Sequence, residues 1–404
     1  MLPAAADAAP LARRLKSLSL EPLAARSGRP GAPCSGTLFA VLAFAVALLC
    51  AAGDPAPSRA PLGTRTQGPL RELFLDVTSA DARRLGTTEL ELRYSVANSW
   101  NEPMSVVRGP SISSQEIDEQ ADSLAIRYRT PWSRWLGPRF APFSTTVEGR
   151  LTLHWAGYTD RAIEAWHGLV GAFNYERSRF PRNQVHLAFG DEGGTAFRID
   201  GTTPTVGDLV LRNQASLFEG GEPLSASELH RYGLATRLDL KLPTGPLSRA
   251  GGSGGFDAGL ALLGTAELTS WLTAHALFST TRFSGFACNC ALQPKEWHFG
   301  FEASLTASLG GTTFLVEDRV VSPLLESGWT RVAWRGNDGI LASGLYASFR
   351  THNQVTFGIR RGRFAFWLSE DATPGSNPPS TLSFLYMSNA PDVVVGLSFT
   401  QPIE

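Results

Sequence analysis

A surplus of positive charge is missing: 36 Lys and Arg face 37 Asp and Glu over 404 residues, a formal net charge of −1. Nucleic-acid phosphates are bound by an excess or a stripe of cations, so that class of partner is excluded. Charge of either sign is scarce too, at 18% against roughly 25% in soluble globular chains, which suits a chain with one face in lipid. Mean hydropathy is only −0.06, far too low for a bundle of membrane helices. Catalytic and metal signatures are lacking as well. The seven histidines, His154, His167, His186, His230, His275, His298 and His352, are scattered with no His-Glu-x-x-His and no metal-ligand spacing, so neither a metal nor a cofactor is expected. No nucleophile elbow or phosphate loop is found, and Gly251-Gly252-Ser253-Gly254-Gly255 reads as a flexible turn.

One long apolar run is present. Gly36 to Ala52 follows Arg13, Arg14, Lys16, Arg26 and Arg29 and ends at small residues before Gly53, Asp54 and Pro55. A basic region, a short apolar stretch and a small-residue exit describe a secretory signal peptide over residues 1–52, cut after Ala52, with Sec-type export. The run falls short of the roughly 20 residues that span a bilayer comfortably as an anchor. Cys50 follows Leu49, where a lipoprotein signal places a small residue. Residues 53–70, GDPAPSRAPLGTRTQGPL, are rich in Pro and Gly and carry no period; they read as an extended periplasmic linker.

From there, apolar and polar residues alternate in blocks of about ten, which is how a strand separates a greasy face from a wet one. On Glu89 to Trp100, Leu90, Leu92, Tyr94 and Val96 oppose Glu91, Arg93 and Ser95; on Arg231 to Leu242, Leu234, Leu238 and Leu240 oppose Arg237, Asp239 and Lys241. On Trp297 to Leu309, Phe299, Phe301 and Leu305 oppose His298, Glu302 and Ser304. Further blocks include 341–349 and 381–388. The connections alternate between tight and long, as in outer-membrane barrels whose short turns are periplasmic, which places Cys288 and Cys290 outside the cell. Near the C-terminus this alternation is expected to break, with Arg361-Gly362-Arg363 short where a long loop is due. The sequence thus predicts an all-β fold: one closed antiparallel transmembrane β-barrel over 71–404, with about 12 to 14 strands and one short helix at Thr159 to Val170 that plugs the lumen, lies at the periplasmic rim or merely connects. A soluble β-sandwich also alternates, but its strands are shorter and it needs no Trp and Tyr near strand ends.

The candidate lumen residues are Arg237, Asp239, Lys241, His298 and Glu302. Their charges either pair and close a narrow lumen or line a wet pore and set its ion preference. Cys288 and Cys290 form a loop disulfide, stay as two idle thiols, or serve a metal or redox role. A lipid-modifying enzyme would need a Ser and His on neighbouring strands, such as Ser304 or Ser308 near His275; no catalytic residue is assigned.

Val206-Gly207-Asp208-Leu209, Leu240-Lys241-Leu242-Pro243-Thr244-Gly245, Gly252-Ser253-Gly254 before Asp257, Glu317-Asp318 and Pro391-Asp392 follow one another in this order. The set resembles proteobacterial outer-membrane β-barrel proteins grouped only as a domain of unknown function, across roughly Pro69 to Phe399. The resemblance implies a membrane barrel and supplies no catalytic residues. The chain departs from the usual barrel in closing on Thr400 to Glu404 with no final aromatic, leaving Phe399 to signal to the barrel assembly machinery. The expectation is a passive channel or binding barrel for a small solute in the outer membrane of a Gram-negative bacterium, surrounded by phospholipid and lipopolysaccharide. The alternatives are a non-transporting structural or interaction barrel and a lipid-modifying barrel.

Overall fold

The computed structural model describes residues 58–403 apart from 109–110, 171–181, 192–193, 222, 226–227, 230, 291–292, 326–329, 333–350 and 372–392. The signal peptide and the alternating blocks at 341–349 and 381–388 lie outside the described residues. Twelve strands form the wall: β1 (Thr88–Arg108), β2 (Ser111–Pro131), β3 (Phe143–Trp155), β4 (Leu209–Gly220), β5 (Tyr232–Leu242), β6 (Asp257–Glu267), β7 (Leu272–Arg282), β8 (Trp297–Leu309), β9 (Thr312–Val321), β10 (His352–Arg361), β11 (Phe364–Asp371) and β12 (Val393–Ile403). Each is antiparallel to the next, and β12 closes on β1 from Thr88↔Ile403 to Asn98↔Val393.

The two-residue period sets which face looks out. On β8, Phe299, Phe301 and Leu305 are about half exposed, whereas His298, Glu302, Ser304 and Thr306 are buried. A one-residue slip would exchange the two sets, so pattern and register specify each other. The outer surface collects Leu92, Ile126, Leu151, Leu238, Leu260, Phe278, Phe314 and Phe357. A sandwich would turn these inward; here they form a band around a closed cylinder. Ten strand residues at about 3.3 Å each, tilted by roughly 40°, cover about 25 Å, the height of a bilayer's apolar core. Tyr232 and Trp271 edge this band at one end and Trp297 at the other.

Both termini of the wall, Thr88 and Ile403, lie at one end, which also carries the tight turns after Glu267, Leu309 and Arg361. The longest connections gather at the opposite end. The alternation stays regular because β9 pairs directly with β10, Thr312↔Arg361 to Val321↔His352, across the long segment between them. Arg361-Gly362-Arg363 is therefore a tight turn where one is due, which corrects the expected break.

At the long-loop end, β1 and β2 run past their neighbours as a two-stranded ribbon. Thr330–Val332 pairs with β1 on one edge, and a hairpin of His186–Asp191 and Gly194–Ile199 pairs with β2 on the other. Leu187, Phe189, Phe197 and Ile199 of that hairpin are buried in an apolar cluster with Phe283 and Phe286. Two short α-helices occur among the described residues, one more than expected. Helix α1 (Ser133–Leu136) follows β2, and helix α2 (Asp160–Val170) follows β3 at the long-loop end, away from the tight-turn rim. Asp160 is held there by the Asn98 amide (2.9 Å) and the Asn183 backbone N–H (2.7 Å).

Candidate functional site: a lumen filled by residues 58–87

A cylinder of eight strands is filled by its own side chains, and one of sixteen holds an aqueous channel. Twelve strands leave a bore that something must occupy. Residues 58–87 occupy it as a strap that enters at the tight-turn end, climbs to the long-loop end, turns and descends to Thr88. The part of the expected linker that the structure describes, residues 58–70, is this strap's ascending limb, and it is largely buried. Such a segment leaves no strand or helix period because its backbone bonds go to wall side chains.

At the entrance, the Arg59 carbonyl accepts from His275 Nε2 (2.8 Å) and Thr306 Oγ1 (3.0 Å), and Arg360 donates to the Ala60 carbonyl (2.7 Å). Leu62 then drops into an apolar seat of Leu315, Ala365 and Trp367, with the Arg93 guanidinium 5.3 Å above the indole. The Glu317 carboxylate accepts three successive amides, those of Leu62, Gly63 (3.1 Å) and Thr64 (3.3 Å), and Arg93 donates to the Leu62 and Gly63 carbonyls. Gly63 has φ +58°, and a Cβ there would lie 2.4 Å from the Ser79 carbonyl oxygen of the returning limb. We expect Gly63→Val to unseat the strap and expose it to trypsin at Arg65 and Arg71, whereas the parent barrel resists cleavage there; protection of both sites in the variant would contradict this geometry.

The strap turns at Gly68 to Leu73 through a single 3-10 turn, Arg71–Leu73. Phe74 stacks on Phe283 (4.8 Å) and meets Phe286 edge-on (5.0 Å), so the tip belongs to the apolar cap at the long-loop end. The descending limb is tied by Leu75 N–H to Asp257 (3.0 Å), Asp76 to Arg319, the Thr78 carbonyl to Arg237 (2.6 Å), Ser79 N–H to Glu302 (3.1 Å) and Ala82 N–H to Thr265 Oγ1 (3.0 Å). Asp76 also accepts from the Thr66 N–H (2.8 Å).

All five candidate lumen residues point inward and are buried. Arg237 holds Asp239 through two bonds (2.7 and 2.9 Å). Lys241 donates to Asp208 (2.7 Å), Ser253 Oγ (2.8 Å) and the Gly255 carbonyl (2.9 Å), with Asp257 at 3.3 Å. His298 lies against the Phe283 ring (4.2 Å) and bonds the Lys295 carbonyl (3.0 Å). Arg237, Asp239 and Lys241 thus stand in ion pairs, whereas His298 meets a carbonyl and a ring, and Glu302 has Arg319 only at 3.9 Å. Sequence reasoning left out Glu148, which gathers Arg127 (2.5 Å), Arg212 (2.8 Å) and Arg65 (3.6 Å), and Arg150, which reaches Glu72 of the strap (3.1 Å). The signal was available: Glu148 and Arg150 stand in the same polar register as the residues that were named.

The separated motifs at 206–209, 240–245 and 252–257 converge around Lys241 at the long-loop end. They clasp the strap tip, since Ser253 N–H donates to the Leu73 carbonyl (3.1 Å) and Asp257 accepts from Leu75. Gly252 is required there because a Cβ would sit 2.2 Å from the Asp208 carboxylate. Gly251 to Gly255 is accordingly a pinned turn, buried over Gly251 to Ser253, where a flexible one was expected. Its spelling matches Gly-x-Ser-x-Gly, yet Ser253 is fully buried, strand β6 follows it where an elbow needs a helix, and its neighbour Lys241 is a donor held by two carboxylates. In the other Ser and His pair the histidine is engaged elsewhere. His275 stands opposite Ser304 in register, but its ring nitrogens are taken by Thr265 Oγ1 (3.0 Å) and the Arg59 carbonyl. Cys288 and Cys290 are joined in a disulfide within the long-loop-end segment that carries Phe286.

No sequence-family profile matches the chain, and no curated protein matches it. Solved structures do. An outer membrane channel from Pseudomonas putida F1 is similar over 82% of this chain and 100% of its own, at 10% identity and a TM-score of 0.44. The Pseudomonas putida toluene transporter TodX is similar over 87% and 98%, at 11% identity and a TM-score of 0.30. Salmonella typhi OmpF, in complex with daunomycin, is similar over 80% and 98%, at 8% identity and a TM-score of 0.26. Identities this low leave the reading of function to the lumen itself.

Proposed function

We propose that this chain is an outer-membrane barrel for passive passage or binding of a small solute, its path held shut by its own strap, residues 58–87. The carrying observation is that the strap occupies the bore from Arg59 to Arg83 while contributing no strand to the closed ladder. A barrel meant to be sealed for good needs no removable filling, because fewer strands would be filled by wall side chains. The outward apolar band supports a bilayer location, and the tight-turn end with both termini reads as periplasmic. The resemblance to barrels of the domain-of-unknown-function group remains part of this proposal, and so do export through a Sec-type signal and insertion by the barrel assembly machinery. The paired interior also favours a second reading, a non-transporting barrel that serves as a structural or interaction element.

Planar-bilayer recording of the purified full chain separates the two. We expect long closed periods broken by discrete openings. A steady, fully open conductance would mean that the strap does not occlude, and unbroken silence at all voltages would favour the sealed barrel.

A further inference from the structure

The connection between β2 and β3 does not hang free below the barrel. Residues 132–142 fold back on the outer wall: Trp132 Nε1 donates to Thr145 Oγ1 (2.8 Å), Trp135 Nε1 to Thr130 Oγ1 (3.2 Å), and Arg134 to Thr88 Oγ1 (3.2 Å) and the Ile403 carbonyl (2.9 Å). Thr88, Thr130 and Thr145 share the outward register of Leu90, Tyr128 and Val147. Trp132 stacks on Phe143 (5.3 Å), which continues the lipid-facing band, so this foot is an extension of that band past its rim. Its outer side is apolar and cationic together. Trp135 is 67% exposed and Leu136 53%, Arg134 and Arg139 are exposed, and the Arg139 guanidinium lies 5.0 Å over the Phe140 ring. Residues 132–142 include no Asp or Glu, the carboxylate of Glu89 nearby is paired with Arg129, and Arg134 is engaged at the C-terminal strand, so Arg139 carries most of the foot's outward charge.

An indole at the edge of an apolar band sits at headgroup depth, and a guanidinium on an apolar surface extends its charge toward the polar layer. We infer that this foot binds the phospholipid leaflet at the tight-turn end and selects anionic headgroups over zwitterionic ones. The inference rests on the barrel's spanning a membrane. Its occupant is a lipid phosphate because the cations stand on a surface continuous with the acyl-facing wall.

The test uses the full chain refolded into phosphatidylcholine vesicles doped with equal fractions of brominated phosphatidylglycerol or brominated phosphatidylcholine. The quenching assigned to Trp135 is the difference between the parent and Trp135→Phe. We expect brominated phosphatidylglycerol to quench it about twofold more strongly. Arg139→Gln, which leaves the Arg134 contacts to Thr88 and Ile403 in place, should lower that ratio, and Arg134→Gln with Arg139→Gln should bring it to parity. Inorganic phosphate, compared with chloride at equal ionic strength, should leave the ratio unchanged. Equal quenching by both lipids in a barrel that still shows heat-modifiable gel mobility overturns the foot and leaves the membrane reading intact. Loss of the preference specifically in phosphate also overturns it, since the site would then hold a free anion. A chain that fails to insert at all overturns the membrane reading instead.

Discussion

Deleting residues 60–82 converts a mostly closed barrel into a steady channel, with mean conductance raised about tenfold or more. The wall folds without the strap because every ladder bond runs between β1 and β12 and their neighbours, and the strap adds none. What the deletion removes is the strap-side partners of Arg93, Arg150, Arg237, Arg319, Glu302 and Glu317, while Arg93 keeps Glu91 and Arg237 keeps Asp239 on the wall. In a dry interior the charges left without a partner would be prohibitive. Once the bore opens they face water, so the wall carries a mixed-charge lining with little preference for ion sign. Heat-modifiable gel mobility verifies folding before recording. A folded deletion variant that stays silent would show that the wall and its long-loop cap close the lumen unaided, contrary to this account.

The second large effect is expected at Asp76. Its carboxylate meets Arg319 in a fork, with the Nη1 bond at 2.7 Å, while Glu302 lies farther away at 3.9 Å and the Val77 carbonyl adds a weaker contact. Asp76→Asn leaves the buried Arg319 guanidinium short of its main counter-charge, a change that typically costs about 3–5 kcal/mol. At 1.4 kcal/mol per decade, roughly 10²- to 4 × 10³-fold more strap-released molecules follow, read as open probability in planar bilayers. Arg319→Met with Asp76→Asn should recover much of the loss, because an uncharged pair strands nothing. An open probability unchanged by Asp76→Asn would mean that the strap does not rest on this contact.

The wall was legible because a barrel strand writes its environment into every second residue. Each of the twelve strands coincides with an alternating block, and Arg237, Asp239, Lys241, His298 and Glu302 could be placed inward from that period alone. The expected break at Arg361 to Arg363 rested on counting a wall strand between Val321 and His352, and direct pairing of β9 with β10 removes it. The strap was illegible for the opposite reason. Its amides bond to Glu317, Asp257, Glu302 and Thr265 rather than to a neighbouring strand, so no period is imposed and Pro and Gly are tolerated. One trace did exist. Arg71-Glu72-Leu73-Phe74-Leu75-Asp76-Val77 sets charged residues among large apolar ones just before the first strand, a composition that an exposed linker has no use for. The convergence of distant motifs on Lys241 depended on the register of three strands and could not be read from their order along the chain.

Hydrogen–deuterium exchange of the strap amides in the detergent-folded full chain bears most directly on the occupied lumen. Leu62, Gly63, Leu75, Ser79 and Ala82 each donate to a wall side chain, so their amides should exchange as slowly as those of β6 and β7. Complete exchange of these amides within seconds, while the strands stay protected, would place the strap outside the barrel and contradict the account.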